Sequence, residues 1–178
     1  HWIKEKSQLM SSPDLGHDLS SVGRLLRKHK AIEEEFHNRQ ELLESQLKVG
    51  EGLIKANNVG KSLIRDRITE LKQLWEHLID VTTERKQRLL EAQEFFQLIS
   101  DCDDMDSWMA EMVRVLSNTD VGTSFAITES LIRRHQEVNS QLETYGGQLT
   151  NLQKSADKIC EYPDIDEAAA RQRLAVVE

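Results

Sequence analysis

The sequence predicts an all-α protein: two tandem antiparallel three-helix coiled-coil bundles joined by one continuous helix. Three observations carry that prediction. The stretch from Lys61 to Val121 contains no glycine and no proline, the residues that most often interrupt a helix. Positions throughout the chain recur at an offset of 106, beginning with Trp2 and Trp108. Hydrophobic residues make up 38% and charged residues 30%, with only two prolines, which suits helices buried along one stripe and solvated elsewhere.

The elements follow in order. In residues 1–10, Trp2, Ile3, Leu9 and Met10 fall on one helical face with no capping residue before them, the second half of a helix A. Ser11 to Gly16 is a loop of turn-forming residues. Asp18 is the expected N-cap of a second helix, whose stripe is Leu19, Val22, Leu26, His29, Phe36, Leu43 and Leu47. That helix is expected to end between Gly50 and Asn58, with Gly52, Asn57 and Asn58 as breakers. The long helix then buries Ile64, Ile68, Leu71, Trp75 and Leu78, and later Leu89, Ala92, Phe96 and Ile99, at alternating steps of three and four. About 60 residues at 1.5 Å each make a helix on the order of 90 Å long, more than one core covers, so two bundles must share it. Beyond Ile99 the apolar phase shifts to Cys102, Met105, Met109, Met112 and Leu116. After a second loop at Asn118–Gly122, a helical stripe of Phe125, Ile132, His135, Leu142, Leu149 and Ala156 leads to a break at Tyr162-Pro163. Asp164 or Asp166 caps a last helix, expected to be cut off at Glu178.

The repeat fixes the domain organisation. The same offset relates Asp14 to Asp120, Gly16 to Gly122, Leu25 to Leu131, His29 to His135 and Leu43 to Leu149, with no gap. Short loops make neighbouring helices antiparallel. The expected units are 1–94, with helix A truncated at its start, and 95–178, with helix C truncated at its end. The linker between them is expected around Arg85, Leu89, Leu90, Glu91, Ala92, Phe95 and Phe96.

Several chemistries are excluded or weak. The net charge of −8 argues against duplex nucleic acid as a partner, and no apolar run is long enough to span a bilayer. Cys102 and Cys160, expected in different units, fit a reducing setting. Gly60-Lys61-Ser62 resembles the end of a phosphate loop, but Lys55 stands where that motif needs glycine. The acidic run Asp101–Asp106 lacks the glycine and terminal glutamate of a calcium loop. No Ser/His/Asp or Cys/His set has consistent spacing, so neither an enzyme nor a cofactor is expected. The tryptophans Trp2, Trp75 and Trp108, with His29 and His135, are expected in the structural core, the histidines donating to polar neighbours on another helix.

Together, Trp2-Ile3-x-Glu5-Lys6 and Trp108-Met109-x-Glu111, the Asp14-Leu15-Gly16-x-Asp18-Leu19 loop, Leu25-Leu26-x-Lys28-His29 and Leu71-x-x-Leu74-Trp75-x-x-Leu78 resemble the spectrin repeat family over the whole chain. The second unit departs at Thr128, Asn139 and Gly146-Gly147, which implies a softer bundle. The resemblance implies a structural rod segment acting as elastic spacer and scaffold in the actin-linked membrane skeleton. It implies a location in the cytoplasm, at the cytoplasmic face of the plasma membrane. It also implies other spectrin-family subunits and actin as partners through the parent protein, and a docking role toward ankyrin or anionic phospholipid as the alternative.

Overall fold

The structure is a computed structural model that describes residues 1–56 and 59–177. Five helices account for its regular structure: α1 (Trp2–Met10), α2 (Leu19–Lys55), α3 (Lys61–Leu116), α4 (Phe125–Ile159) and α5 (Glu167–Leu174). The chain forms two compact units, His1–Ala92 and Gln93–Glu178. Helix α3 belongs to both, contributing residues 61–92 to the first and 93–116 to the second.

In unit 1, α1, α2 and the first part of α3 make the bundle. Antiparallel packing of α2 and α3 follows from two ion pairs, Lys86 with Glu33 at 3.0 Å and Lys72 with Glu51 at 3.3 Å. The core holds Met10, Val22, Leu78, Leu89 and Ala92. Helix α2 starts where the sequence places it. The Asp18 carboxylate accepts from the Ser21 amide at 2.6 Å, and the Ser21 hydroxyl accepts from the Asp18 amide at 3.0 Å. This reciprocal box satisfies two of the amides a helix start leaves free. Gly50 and Gly52 do not break α2 but lie within it. Gly50 serves close packing, since a Cβ there would stand 2.8 Å from Cδ1 of Ile68 on α3. The helix-ending role expected of Asn57 and Asn58, and the end at Glu178, lie outside the described residues. Leu9, placed on the buried face by periodicity, is half exposed.

In unit 2, the second part of α3 packs against α4 and α5. Leu98, Cys102 and Met105 meet Leu152, Ala156 and Ile159 of α4, and Ala170, Leu174 and Val177. Leu98 is already buried, while Phe96 and Ile99 are half-buried, so the phase change on α3 comes earlier than Ile99. Both Cys102 and Cys160 belong to this one unit, not to different ones, and both are free thiols. Burial pushes the Cys102 thiol above its ordinary pKa, which makes it a poor nucleophile.

The two interhelical loops repeat the same geometry. Gly16 and Gly122 adopt φ of 86° and 84°, a region open to glycine and strained for other residues. Their amides donate to the carboxylates of Asp14 at 3.0 Å and Asp120 at 2.8 Å. The offset of the sequence is thus an offset of backbone conformation as well.

Candidate functional site

Three features of the chain could carry function: the aromatic and polar core of unit 1, the middle of α3, and an open apolar groove in unit 2.

In unit 1, Trp2 of α1 lies against Trp75 of α3, ring centroids 6.4 Å apart, and meets the edge of Phe36 of α2 at 5.6 Å. The Arg39 guanidinium covers the Trp2 ring at 4.3 Å. One aromatic from each helix therefore fixes the lateral register of the bundle, and offset ring pairs add about 0.5–1.5 kcal/mol beyond their buried area. All three rings are half-buried, and an open groove of about 250 Å3 lies beside Trp2, Arg39 and Trp75. In unit 2, Trp108 stacks on Tyr145 of α4 at 3.6 Å.

Further along the same core, polar side chains fill positions that periodicity leaves blank. Thr82 and Arg85 look like interruptions in the apolar stripe, yet both are buried. The Thr82 hydroxyl donates to the Leu78 carbonyl at 2.6 Å, satisfying itself within its own helix. The Arg85 guanidinium donates to the carbonyls of Ser12 and of Asp14, the latter at 3.0 Å. It thereby ties the α1–α2 loop to α3. Burial holds the Arg85 pKa below its ordinary value while Asp14 raises it, and the group stays cationic throughout the working range.

His29 is 3% exposed. The expected hydrogen bond to another helix is not made: neither ring nitrogen has a hydrogen-bond partner among the described residues. The nearest carboxylate, Glu33 on the same helix, lies 3.7 Å from Nε2, too far for a hydrogen bond. His135 corrects the sequence reading more sharply, because it is exposed and not in the core. With it, Phe125, Ile132 and Leu142 of the expected stripe are exposed, Phe125 by 85%. Of that stripe Ala156 is buried and Leu149 packs against the core, and the rest of the buried face of α4 runs through Val138, Leu152 and Ile159. The physical reason is that α5 covers only the C-terminal part of α4. Positions 125–137 and the end of α3 share an open groove of about 530 Å3 lined by Leu116, Val121, Leu131, Ile132, His135 and Val138. Thr128 sits in this stretch at the position of buried Val22, and its hydroxyl donates to the Val121 carbonyl at 3.0 Å.

In the middle of α3, Arg85, Leu89, Glu91 and Ala92 are buried, Phe95 and Phe96 are half-buried, and Leu90 is 39% exposed. Glu91 accepts from the Gln87 amide at 2.8 Å, and the Phe95 and Phe96 rings meet at 5.1 Å.

The acidic run of α3 divides in two. Cys102 and Met105 enter the core, whereas Asp103 and Asp106 receive Arg173, the latter at 3.8 Å. Among the described residues no group of three or more His, Cys, Asp or Glu could hold a metal ion, and no helix is long and apolar enough to cross a membrane.

The two stretches that build these bundles also carry one family's sequence pattern. Residues 1–91 and 93–178 each match the spectrin repeat. The chain belongs to the spectrin repeat family. It is 38% identical over all 178 residues to the spectrin beta chain of Drosophila melanogaster, of which it spans 8%. It is 36% identical over 155 residues to the erythrocytic spectrin beta chain of Mus musculus, covering 87% of this chain and 7% of that one. Identity to the mouse erythrocytic spectrin alpha chain 1 is 30% over 151 residues, 85% of this chain and 6% of that one. Two tandem repeats of this family make a structural rod segment of a spectrin-family protein, not an enzyme.

Proposed function

We propose that this rod segment acts as an elastic spacer and scaffold in the actin-linked skeleton at the cytoplasmic face of the plasma membrane. In this reading it works beside other spectrin-family subunits, and actin is reached through the parent protein. The observation that carries the reading is α3, which runs from Lys61 to Leu116 without a break. A spacer of defined length needs a joint that resists bending, and a helix resists bending where a loop does not. The handover between repeats 1–94 and 95–178 falls within a turn of residue 94, and Arg85, Leu89, Leu90, Glu91, Ala92, Phe95 and Phe96 form the linker.

Leu90→Pro tests the linker role. Proline removes one backbone donor and clashes with the preceding turn, at about 3 kcal/mol or more, while exposed Leu90 loses little packing. The parent should unfold in one coupled transition and the variant in two. An unchanged single transition, or two transitions already in the parent, contradicts a mechanical linker.

A docking role toward ankyrin or an anionic phospholipid is the second reading, favoured by the exposed apolar groove of unit 2. The net charge of −8 works against the lipid. Sedimentation with vesicles of anionic phospholipid and a pull-down with purified ankyrin separate the two ligands, and no capture in either leaves the spacer role alone.

A further inference from the structure

His29 is a buried titratable group with its proton chemistry unspent. It is 3% exposed and neither ring nitrogen is hydrogen-bonded among the described residues. The charged groups around it come from two helices. On α2, one turn along, Glu33 stands 3.7 Å from Nε2. From α3, Lys86 holds both oxygens of Glu33, at 3.0 and 3.2 Å, and Arg85 is committed to the Ser12 and Asp14 carbonyls. The carboxylate that an imidazolium would need is therefore present but already bonded to a lysine of the neighbouring helix.

We propose that His29 is a proton-operated latch on the first bundle, in which an imidazolium takes Glu33 away from Lys86 and loosens α2 from α3. The competition follows from the geometry. A neutral imidazole packs in the core without disturbing the Glu33–Lys86 tie. A protonated one cannot stay unpaired at that depth. Its nearest anion is Glu33, and a shift of less than 1 Å would bring Nε2 within hydrogen-bonding distance. Closing that gap draws Oε1 of Glu33 away from Lys86 on α3. Water entering the core to solvate the imidazolium would loosen the same place.

The sign is fixed by burial. Desolvation is the largest influence on His29 and lowers its pKa from 6.5; Glu33 pulls it up, and Arg85 and Lys86 push it further down. The folded protein thus binds this proton less readily than the unfolded chain. Stability from His29 is complete above about 6.5 and is lost as pH falls through the lower, folded value. Unit 2 has no such latch, because His135, the same residue at the offset of 106, is exposed.

Two measurements on the 178-residue chain test this. In the unaltered protein, histidine ring NMR signals followed from pH 8 to 4.5 should give His29 a midpoint below the ordinary histidine value of 6.5. A His29 midpoint at or above 6.5 overturns the proposal. In a Trp108→Phe background, Trp2 and Trp75 fluorescence reports unit 1 alone. There the thermal midpoint should fall by about 4 °C or more between pH 7.5 and 5.5, the shift roughly 1 kcal/mol makes in a unit this size. His29→Gln should fall clearly less. Equal falls in parent and variant overturn the latch, and so does a variant that falls more. Should His29→Gln not fold, the His29 midpoint decides alone.

Discussion

Arg85 offers the most demanding test of how unit 1 is held together. Its guanidinium is buried and donates to two backbone carbonyls of the α1–α2 loop, Ser12 and Asp14. Arg85→Met keeps much of the stem volume but removes both donors and leaves both carbonyls without them. Hydrogen bonds to a charged group contribute about 1.5–3 kcal/mol each, and a buried acceptor left unmade costs about 1–3 kcal/mol. Relief from burying the guanidinium offsets part of this, so the net loss should be roughly 2–4 kcal/mol. Arg85→Lys keeps the charge but offers a compact ammonium in place of a planar fork, and should recover about half. The assay is urea unfolding followed by tryptophan fluorescence in a Trp108→Phe background, so that Trp2 and Trp75 report unit 1. A methionine variant within about 0.5 kcal/mol of the parent would refute the reasoning, because the loop tie would then contribute no more than an apolar contact.

Other outcomes follow from the same contacts. Gly146→Ala and Gly147→Ala should each stabilise unit 2 by about 0.5–1 kcal/mol in urea unfolding, since a Cβ at either position meets nothing within 4 Å. Gly122→Ala should destabilise it by about 1–2 kcal/mol, because φ is +84° and the Cβ would stand 2.9 Å from the Thr128 amide. Leu78→Ala, at a fully buried site, should cost unit 1 about 2–5 kcal/mol by calorimetry, while Ile132→Asn on the open groove should change stability by less than about 0.5 kcal/mol. Acid should act on unit 2 through Glu94, whose carboxylate is held below its ordinary pKa of 4.5 by hydrogen bonds from Lys158 and Tyr162. Its contribution is complete above 4.5 and lost as pH falls through the folded value, so Glu94→Gln should lower unit 2's melting midpoint slightly near pH 7 and converge on the parent as pH falls below 4.5.

Much of the fold was legible because the features that set it are local. The Asp18 cap, the two Asp-x-Gly loops and the absence of breakers between Lys61 and Leu116 act through neighbouring residues, and those can be read in one dimension. The register of the repeat was legible for the same reason, since Asp14 with Gly16 and Asp120 with Gly122 make the same local turn at positive φ. What could not be read was which helical stripe finds a partner. Leu26 and Ile132 occupy equivalent stripe positions, as do His29 and His135, yet each residue of the second unit is exposed. Periodicity states which face of a helix is able to be buried, not whether another helix arrives to bury it. The polar core of unit 1 was missed from the opposite side. Thr82 and Arg85 break the apolar rhythm, and a stripe scored on hydrophobicity counts them as gaps. In the folded chain they are satisfied by carbonyls, one in the preceding turn and the others in a loop more than 70 residues away.

That distinction bears on what the second repeat of such a pair can do. A residue at an equivalent position carries the same letter and the same local conformation in both units, but its energetic role depends on the helix that covers it. His29 is neutral and enclosed, whereas His135 lines an open groove beside Leu131 and Ile132. Substitutions at paired positions should therefore be unequal in their effects. His29→Gln should alter the response of unit 1 to acid, and His135→Gln should leave unit 2 unchanged at every pH. Equal effects at 29 and 135 would mean that the groove beside α4 is closed in solution and that the two units bury the same stripe after all. The comparison needs only the two single variants and one melting curve for each at pH 7.5 and 5.5. It reads directly whether a third helix, or anything else, occupies that face.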